Sequence, residues 1–306
     1  MIHLILWTVA ILLVALMSTV AMFAMARYQY GRKLQHQSAM IQTERGPIEY
    51  AEIGHGASIL VVHGSPGGFD QSLNYILALQ EPEFKYRYII PSRAGYLRTP
   101  LSVADTPLEQ AHAFAALLTA LGIDRVATTA SSGGGPSALQ FAMQYPDRCS
   151  ALILEECVIQ KVHRNPAPFK ASILRDYLVW LVGWIKIAQW QASSPEDRKI
   201  SILGNALMKS IGLSRLRSEG EANDFIQFAK IADWPLNQIT CPTLIMHGTA
   251  DANVPISHSE FAHSQIAGSV FEKILGADHF MPITQYKRLQ FLQDAFLAKH
   301  ARAQIG

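Results

Sequence analysis

Charged residues and cysteines are both scarce in this sequence, and each scarcity excludes a class of protein. Only 16% of the 306 residues are charged and 49% are hydrophobic. Such a composition supplies a sizeable core and argues against long disordered segments. The formal net charge of +2 is too close to neutral to suggest a nucleic-acid partner. The three cysteines are odd in number and widely spaced, so we predict no disulfide framework and no metal motif. We interpret Cys149, Cys157 and Cys241 as buried structural thiols.

The N-terminus departs from this globular composition. Residues 2–26 carry no charge unless His3 is protonated. At about 1.5 Å per residue, a helix of this length would cross a hydrocarbon layer of about 30 Å. One hypothesis is a signal peptide cleaved near Ala26, because Ala24-Met25-Ala26 fits the small-x-small cleavage pattern. We favour an uncleaved anchor at 1–27, because no Lys or Arg precedes the run and the run is longer than a usual signal core.

The charges that follow the apolar run predict its orientation. Arg27, Arg32 and Lys33 flank its C-terminal end, and basic flanks stay on the cytoplasmic side of a membrane. We therefore expect a single-pass membrane protein with its remaining domain in the cytoplasm. Residues 28–40 are polar enough to act as a connector between the anchor and that domain.

Predicted strands alternate with predicted helices through most of the remaining chain. This alternation is typical of a parallel sheet covered on both faces by helices. The alternation stops at residue 158 and resumes near residue 238. We therefore predict one α/β domain, residues 41–157 and 238–306, interrupted by a helical insertion at 158–237. Within the insertion, residues 173–190 are apolar on nearly every side, so this helix must be covered on most sides or touch lipid.

A small-x-Ser-x-small spacing surrounds Ser132. An apolar strand at 125–130 leads into this serine, and a helix is predicted from near Pro136. Ala130 and Gly134 occupy the positions where a larger side chain would collide with neighbouring elements in a sharp strand-to-helix turn. A flexible Ser/Gly linker is the alternative, and the apolar flanks argue against it. The glycine run is not a phosphate loop, because no Lys-Ser/Thr pair follows it.

A serine hydroxyl needs an adjacent base, and that base needs an orienting carboxylate. The predicted strand at 243–246 runs into His247-Gly248-Thr249-Ala250-Asp251, and the strand at 271–275 is followed by Gly276-Ala277-Asp278-His279. Both loops follow the carboxyl ends of strands, where the ligand-facing groups of such sheets collect. The chain order Ser, Asp, His is the order expected for a nucleophile on a strand-to-helix turn. Ser132, Asp251 and His279 are therefore the candidate catalytic residues.

With these pieces in order, the chain resembles the α/β-hydrolase fold proteins over about residues 41–298. The resemblance depends on the turn at 130–134, on the Asp251 and His279 loops, and on His63-Gly64-Ser65-Pro66-Gly67-Gly68. It implies that Ser132 is the nucleophile, His279 the general base and acid, and Asp251 the orienting carboxylate. It also implies oxyanion donors from the backbone N–H groups of Ser65 and Gly133, and a cap at 158–237.

Three features depart from the family pattern. Ala130 replaces the commoner glycine, and a methyl group should fit there. Asp278 precedes the histidine, where it could raise the imidazole pKa or cap the following turn. Glu155 and Glu156 end the strand before the insertion, where some members carry the orienting acid. Asp251 fits that role better, because its strand-His-Gly-loop context matches the family.

The remaining histidines have ordinary structural interpretations. His63 and His247 stand in His-Gly pairs at strand ends and are expected to brace loops. His163, His258 and His263 are expected to be surface or packing residues.

The sequence thus predicts a membrane-anchored serine hydrolase acting on an ester or related acyl compound, with no cofactor and no metal. An apolar insertion beside an anchor suggests a lipophilic small-molecule substrate. Carbon–carbon bond hydrolases, proline iminopeptidases and haloperoxidases remain alternatives within the resemblance. A membrane-tethered binding or scaffold protein with a vestigial triad is the alternative from another class.

Overall fold

One mixed sheet forms the centre of the molecule. The computed structural model describes residues 1–79, 84–162, 171–194, 197–211 and 213–301. Within these residues the strands follow the order β1-β2-β4-β3-β5-β6-β7-β8 across the sheet. Their bounds are β1 Ala39–Thr43, β2 Gly46–Ile53, β3 Ser58–Val62, β4 Arg87–Pro91, β5 Val126–Ser131, β6 Cys149–Glu155, β7 Thr243–Gly248 and β8 Val270–Ile274. β1 and β2 form a hairpin, β2 pairs antiparallel with β4, and the rest of the sheet is parallel.

Helices cover both faces of the sheet, as the alternating pattern predicted. Their bounds are α1 Ile2–His36, α2 Phe69–Leu79, α3 Pro107–Ala120, α4 Gly135–Gln144, α5 Ile173–Ser193, α6 Arg198–Ile211, α7 Ser218–Phe228, α8 Ser257–Gln265, α9 Met281–Thr284 and α10 Tyr286–His300. One core cluster joins α3, α4 and α8 to the sheet. A second cluster joins the C-terminal part of α1, α2 and α10 to the opposite face. This burial on both faces explains why β6 and β7 have no exposed position.

Two helical features differ from the sequence expectations. Helix α1 continues to His36, so most of the segment at 28–40 is helical and part of the domain surface. Tyr30 and Leu34 lie one turn apart and are buried, and this spacing gives the end of the helix an apolar face. Helix α2 was not predicted at all, although it packs directly behind the Gly67-Gly68 turn.

The N-terminal half of α1 projects without cover. The mean hydropathy of its most apolar 18-residue stretch is 2.5, and none of that stretch is buried. Among the described residues, α1 is the helix whose length and composition allow it to cross a membrane. Where α1 leaves this stretch, Arg27 forms an ion pair with Asp176 of α5. Phe23 packs against Tyr177 and Trp180 of the same helix, with ring centroids 5.4 and 5.8 Å apart.

Helices α5, α6 and α7 lie between β6 and β7 and are called here the cap helices. Gly183 of α5 allows close contact with α6, because a Cβ there would lie 2.6 Å from the Met208 sulfur. The opposite side of α5 has no cover from the described residues. Six of its apolar side chains are at least 50% exposed: Ile173, Leu174, Leu178, Val182, Trp184 and Ile185. Coverage on most sides, one of the two sequence-based alternatives for this helix, is therefore not found among the described residues.

Candidate active site

Ser132 lies on a strained turn between β5 and α4. Its φ is +47°, a left-handed conformation that non-glycine residues seldom adopt. The turn passes close to β3, because a Cβ on Gly134 would lie 2.7 Å from the carbonyl oxygens of Val62 and His63. Only glycine fits there, and this is the collision that the small-x-Ser-x-small spacing anticipated. The methyl group of Ala130 is accommodated and buried.

The loops after β7 and β8 bring His279 and Asp251 to this serine. His279 Nε2 lies 3.0 Å from Ser132 Oγ. His279 Nδ1 lies 2.7 Å from Asp251 Oδ2. Because a carboxylate only accepts, the Nδ1 proton points to Asp251 and leaves Nε2 free to accept the serine proton. The three residues therefore form one continuous chain of hydrogen bonds.

Asp251 is fixed by its own loop. Its Oδ1 accepts the backbone N–H groups of Asn253 and Val254 at 2.8 and 3.0 Å. Burial acts to raise the pKa of Asp251, but hydrogen bonds from His247 and His279 outweigh it and hold the pKa well below its ordinary value. His247 itself is tied to Val254 O at 2.9 Å and to Ser259 Oγ at 2.7 Å, so it braces the loop.

The two segments expected to supply the oxyanion donors approach each other beside the serine. Gly133 follows Ser132, and a Cβ on Gly133 would lie 2.8 Å from Ser65 Oγ. The loop at 63–68 is therefore close enough to line the same small space. His63 braces this loop, since its Nδ1–H donates to Gly64 O at 2.8 Å and its Nε2 accepts the Arg93 N–H at 2.9 Å. Burial, together with the Arg93 charge, holds the pKa of His63 well below its ordinary value.

Sequence reasoning missed a buried ion pair that ties this loop to the cap helices. Arg93 binds Asp224 of α7 through two hydrogen bonds of 2.6 and 2.7 Å, and both side chains are at most 4% exposed. The Ser65 hydroxyl donates to Asp224 and lies 2.8 Å from Tyr96 Oη. The Ser65 side chain thus joins the oxyanion loop to α7. No local motif marks these residues, because the pairing spans 131 positions.

A second buried pair holds the other end of the same loop. Arg217, just before α7, binds Asp70 of α2 through hydrogen bonds of 3.0 and 2.8 Å and also donates to Gly67 O. Both side chains are fully buried. Tyr30 of α1 also donates to Asp70. The loop at 63–68 is therefore clamped between the cap helices and the core by two arginine–aspartate pairs.

A cavity of about 460 Å³ opens onto Ser132 and His279. Its outer wall is apolar and comes from the cap helices and neighbouring segments: Leu203, Leu207, Ile211, Phe225, Phe228 and Phe280. Its inner wall includes Tyr75, Glu155 and Gln293.

The structure also shows the contacts of the acidic residues whose roles the sequence left open. Asp278 Oδ1 accepts the Phe280 N–H at 3.0 Å, so it caps the following turn. Glu155 and Glu156 are buried beside the cavity, and neither is the partner of His279. All three cysteines are buried and free.

The other histidines and the possible metal ligands complete the comparison with the sequence. His258 is buried, and its Nδ1 accepts the N–H groups of Ile159 and Gln160 at 3.0 and 3.1 Å, which makes it a packing residue. His163 lies outside the described residues. Within the described ranges, His, Cys, Asp and Glu side chains form no group suited to a metal ion.

The comparisons with known proteins identify the family. A family model described as alpha/beta hydrolase fold matches residues 57–186. A 2-hydroxy-6-oxo-6-phenylhexa-2,4-dienoate hydrolase of Comamonas testosteroni is 34% identical over 222 residues, which are 69% of this chain and 77% of that protein. An uncharacterised hydrolase of Bacillus subtilis, YcgS, is 29% identical over 250 residues, 75% of this chain and 87% of that protein.

Solved structures agree with this relationship. An alpha/beta hydrolase fold protein from Nakamurella multipartita superposes with a TM-score of 0.75 at 30% identity, covering 87% of this chain and 99% of that one. A thermophilic esterase from Thermogutta terrifontis shares the fold, with a TM-score of 0.64 at 23% identity and coverage of 86% and 98%. The chain belongs to the α/β-hydrolase fold family.

Proposed function

We propose that this protein is a serine hydrolase that cleaves an ester or related acyl substrate, with Ser132, His279 and Asp251 as its catalytic residues. The observation that carries the proposal is the chain of two hydrogen bonds, 3.0 and 2.7 Å long, that joins the three side chains. The strained φ of Ser132 supports it, because strain of this kind is stored where a side chain must be presented.

The reaction follows from this arrangement. His279 Nε2 takes the proton of Ser132 as Oγ attacks the substrate carbonyl, and Asp251 stabilises the imidazolium that forms. The backbone N–H groups of Ser65 and Gly133 would hold the oxyanion. His279 then protonates the leaving group and activates a water that hydrolyses the acyl-enzyme.

Carbon–carbon bond hydrolysis is the second candidate. The Comamonas testosteroni relative, at 34% identity, is named as a dienoate hydrolase. The same serine, base and oxyanion donors could serve that reaction, so the substrate and not the machinery separates the two candidates.

The substrate is proposed to be lipophilic, because the outer wall of the cavity is built from Leu, Ile and Phe side chains. We further propose that residues 2–26 anchor the protein in a membrane, with the catalytic domain in the cytoplasm. The exposed apolar side of α5 would then lie against the same lipid, since α5 packs on α1 where α1 leaves its apolar stretch.

The function is tested with p-nitrophenyl esters of graded chain length, assayed on the full chain in detergent. We expect hydrolysis by the wild type and a loss of about a thousandfold or more for Ser132→Ala. A folded wild type that hydrolyses no ester, but cleaves a dienoate substrate in a Ser132-dependent way, would favour the second candidate. Inertness toward both would favour the scaffold alternative.

The topology is tested with a reporter fused after residue 306. A reporter that is active only in the cytoplasm agrees with the anchor proposal. Activity only in an exported compartment would overturn the cytoplasmic placement.

A further inference from the structure

The cavity has an inner arm that lies on the sheet, between α2 and α10. Val61, Thr129 and Ser131 belong to the central strands β3 and β5, yet each remains partly accessible. In a sheet covered on both faces such positions are normally buried. They are accessible here because all three line the cavity that contains Ser132.

Polar side chains converge on this arm from four elements. On each of the two helices the contributing residues are three positions apart and therefore lie on the same face. We call the arm the inner chamber and define it by Ser72 and Tyr75 of α2, Thr129 of β5, Glu155 of β6, and Gln290 and Gln293 of α10. Apolar side chains line the cavity beside these groups, among them Val61 of β3 and Ile76 and Leu79 of α2, and the wall formed by the cap helices is apolar as well.

Several of these groups have unused hydrogen-bonding capacity. Gln293 donates to Glu155. Within the described part of the chain, the hydroxyl groups of Ser72, Tyr75 and Thr129 have no hydrogen-bond partner. Glu156, next to the chamber, has a buried Oε2 with no partner. The three hydroxyl groups belong to partly buried residues that line the cavity, so a bound ligand can hydrogen-bond to them.

The charged groups near the chamber are acidic. Among the described residues that line the cavity there is no Lys or Arg, whereas Glu155 and Glu156 are both present. Burial raises the pKa of Glu155 to about 7. Burial, and then the charges of Glu155 and Asp251, raise the pKa of Glu156 well above its ordinary value. A carboxylate placed here would lose its hydration and gain no cation in return.

We propose that the inner chamber binds an uncharged hydrogen-bonding group of the substrate, such as an amide or a hydroxyl, and discriminates against a carboxylate. The inference rests on the proposed function, because the bound group must belong to the molecule that Ser132 attacks. It would separate this chain from the dienoate hydrolase relative, whose name describes a carboxylate substrate.

The test uses three alkyl trifluoromethyl ketones of equal length that end in a methyl, a primary amide or a carboxylate. Such ketones add reversibly to an activated serine and mimic the tetrahedral intermediate. Binding to the full chain in detergent is measured by ¹⁹F NMR and by inhibition of p-nitrophenyl butyrate hydrolysis. We expect the amide to bind about tenfold more tightly than the carboxylate, which is nearly its isostere.

Variants assign the discrimination to the chamber. Above pH 7, where Glu155 is ionised, Glu155→Gln should lower the amide-to-carboxylate ratio, because a negative charge is replaced by a neutral amide of nearly equal shape. Tyr75→Phe should weaken the amide ketone about fivefold and leave the methyl ketone unchanged. Leu207→Ala, on the apolar outer wall, is the matched control and should not change the amide-to-carboxylate ratio.

The possible failures are distinguishable. Equal binding of the three ketones by the wild type, or tightest binding of the carboxylate, would overturn the chamber proposal and leave the serine hydrolase intact. A ratio that Glu155→Gln does not change would also overturn it. If no ketone forms an adduct with the folded wild type, the proposed function fails, and the chamber proposal fails with it.

Discussion

At the scale of single residues, Asp251 is the side chain whose environment is defined most completely. Both of its oxygens accept hydrogen bonds: two come from its own loop, one from His279 Nδ1 and one from His247. Asp251→Asn would present an N–H group to His279 Nδ1 and favour the tautomer whose Nε2 cannot accept the serine proton. We expect kcat for p-nitrophenyl butyrate to fall by about 10⁴ without a change in the circular dichroism spectrum.

Asp278→Asn is the matched control, since Asp278 neighbours His279 in sequence but only caps a turn. An amide oxygen can also accept the Phe280 N–H, so kcat should stay within about threefold of wild type. Comparable losses in the two variants would show that the assignment of Asp251 is wrong.

Glu155 makes stability depend on pH. Its pKa is raised from 4.5 to about 7 by burial, so the folded protein holds this proton more tightly than the unfolded chain. The contribution of Glu155 to the free energy of unfolding is complete below about pH 4.5. It is lost as the pH rises toward 7, and the loss reaches about 3 kcal/mol. Relative to Glu155→Gln, the wild type should lose several degrees of Tm between pH 5 and pH 8. A constant difference in Tm across this range would contradict the buried, proton-holding state.

At the scale of elements, the two buried arginine–aspartate pairs join the oxyanion loop to the cap helices. Removing one partner of a buried pair leaves an uncompensated charge. Asp224→Ala should therefore lower the free energy of unfolding by about 3–5 kcal/mol, measured by thermal unfolding. Glu52→Ala breaks the partly exposed pair with Arg87 and should cost about 0–1 kcal/mol. Similar costs for the two variants would mean that the Arg93–Asp224 pair does not hold the loop.

The exposed side of α5 leads to a prediction about lipid. Trp184 is 50% exposed on this side, whereas Trp234 packs against the core. Two single-tryptophan variants, retaining only Trp184 or only Trp234, are compared in vesicles of brominated phospholipid. We expect quenching of Trp184 fluorescence and little quenching of Trp234, because bromine quenches only at close range. Equal, weak quenching of both would place α5 in water.

The elements differ in how far the sequence could predict them. Helix α3 has both of its signals in the local sequence, since Thr106 accepts the Glu109 N–H and Pro107 begins the helix. Helix α2 lacks such a local signal, because it begins directly after two glycines and is stabilised by packing in the second core cluster. The extension of α1 to His36 likewise depends on the packing of Tyr30 and Leu34 into that cluster. Packing over long sequence distance decided both cases.

At the scale of the whole molecule, the candidate site was predictable because its parts occur at strand ends. Parallel strands bring their carboxyl ends to one edge, so Ser132, Asp251 and His279 could be expected together from their places after strand ends. The inner chamber could not be predicted in this way. It requires α2 and α10 to stand apart over β5, and single residues such as Tyr75 and Gln293 give no sign of that separation.

Helix α1, the cap helices and the cavity are layered in that order. Helix α5 contacts both α1 and α6, and Leu203 and Leu207 of α6 line the cavity. Under the membrane proposal, the layer of α5 and α6 therefore separates lipid from the candidate active site. This arrangement suits a substrate with a lipophilic part in the outer cavity and an uncharged polar part in the inner chamber.

The most direct measurement of the central claim is covalent labelling of the full chain with a fluorophosphonate, followed by mass spectrometry of the modified peptide. The probe reacts with a serine that is activated by a neighbouring base. We predict a single adduct on Ser132 that is abolished in Ser132→Ala and His279→Ala and retained in Ser264→Ala, whose serine is exposed on α8. A folded wild-type protein that takes no label, or that is labelled on another serine, would contradict the account.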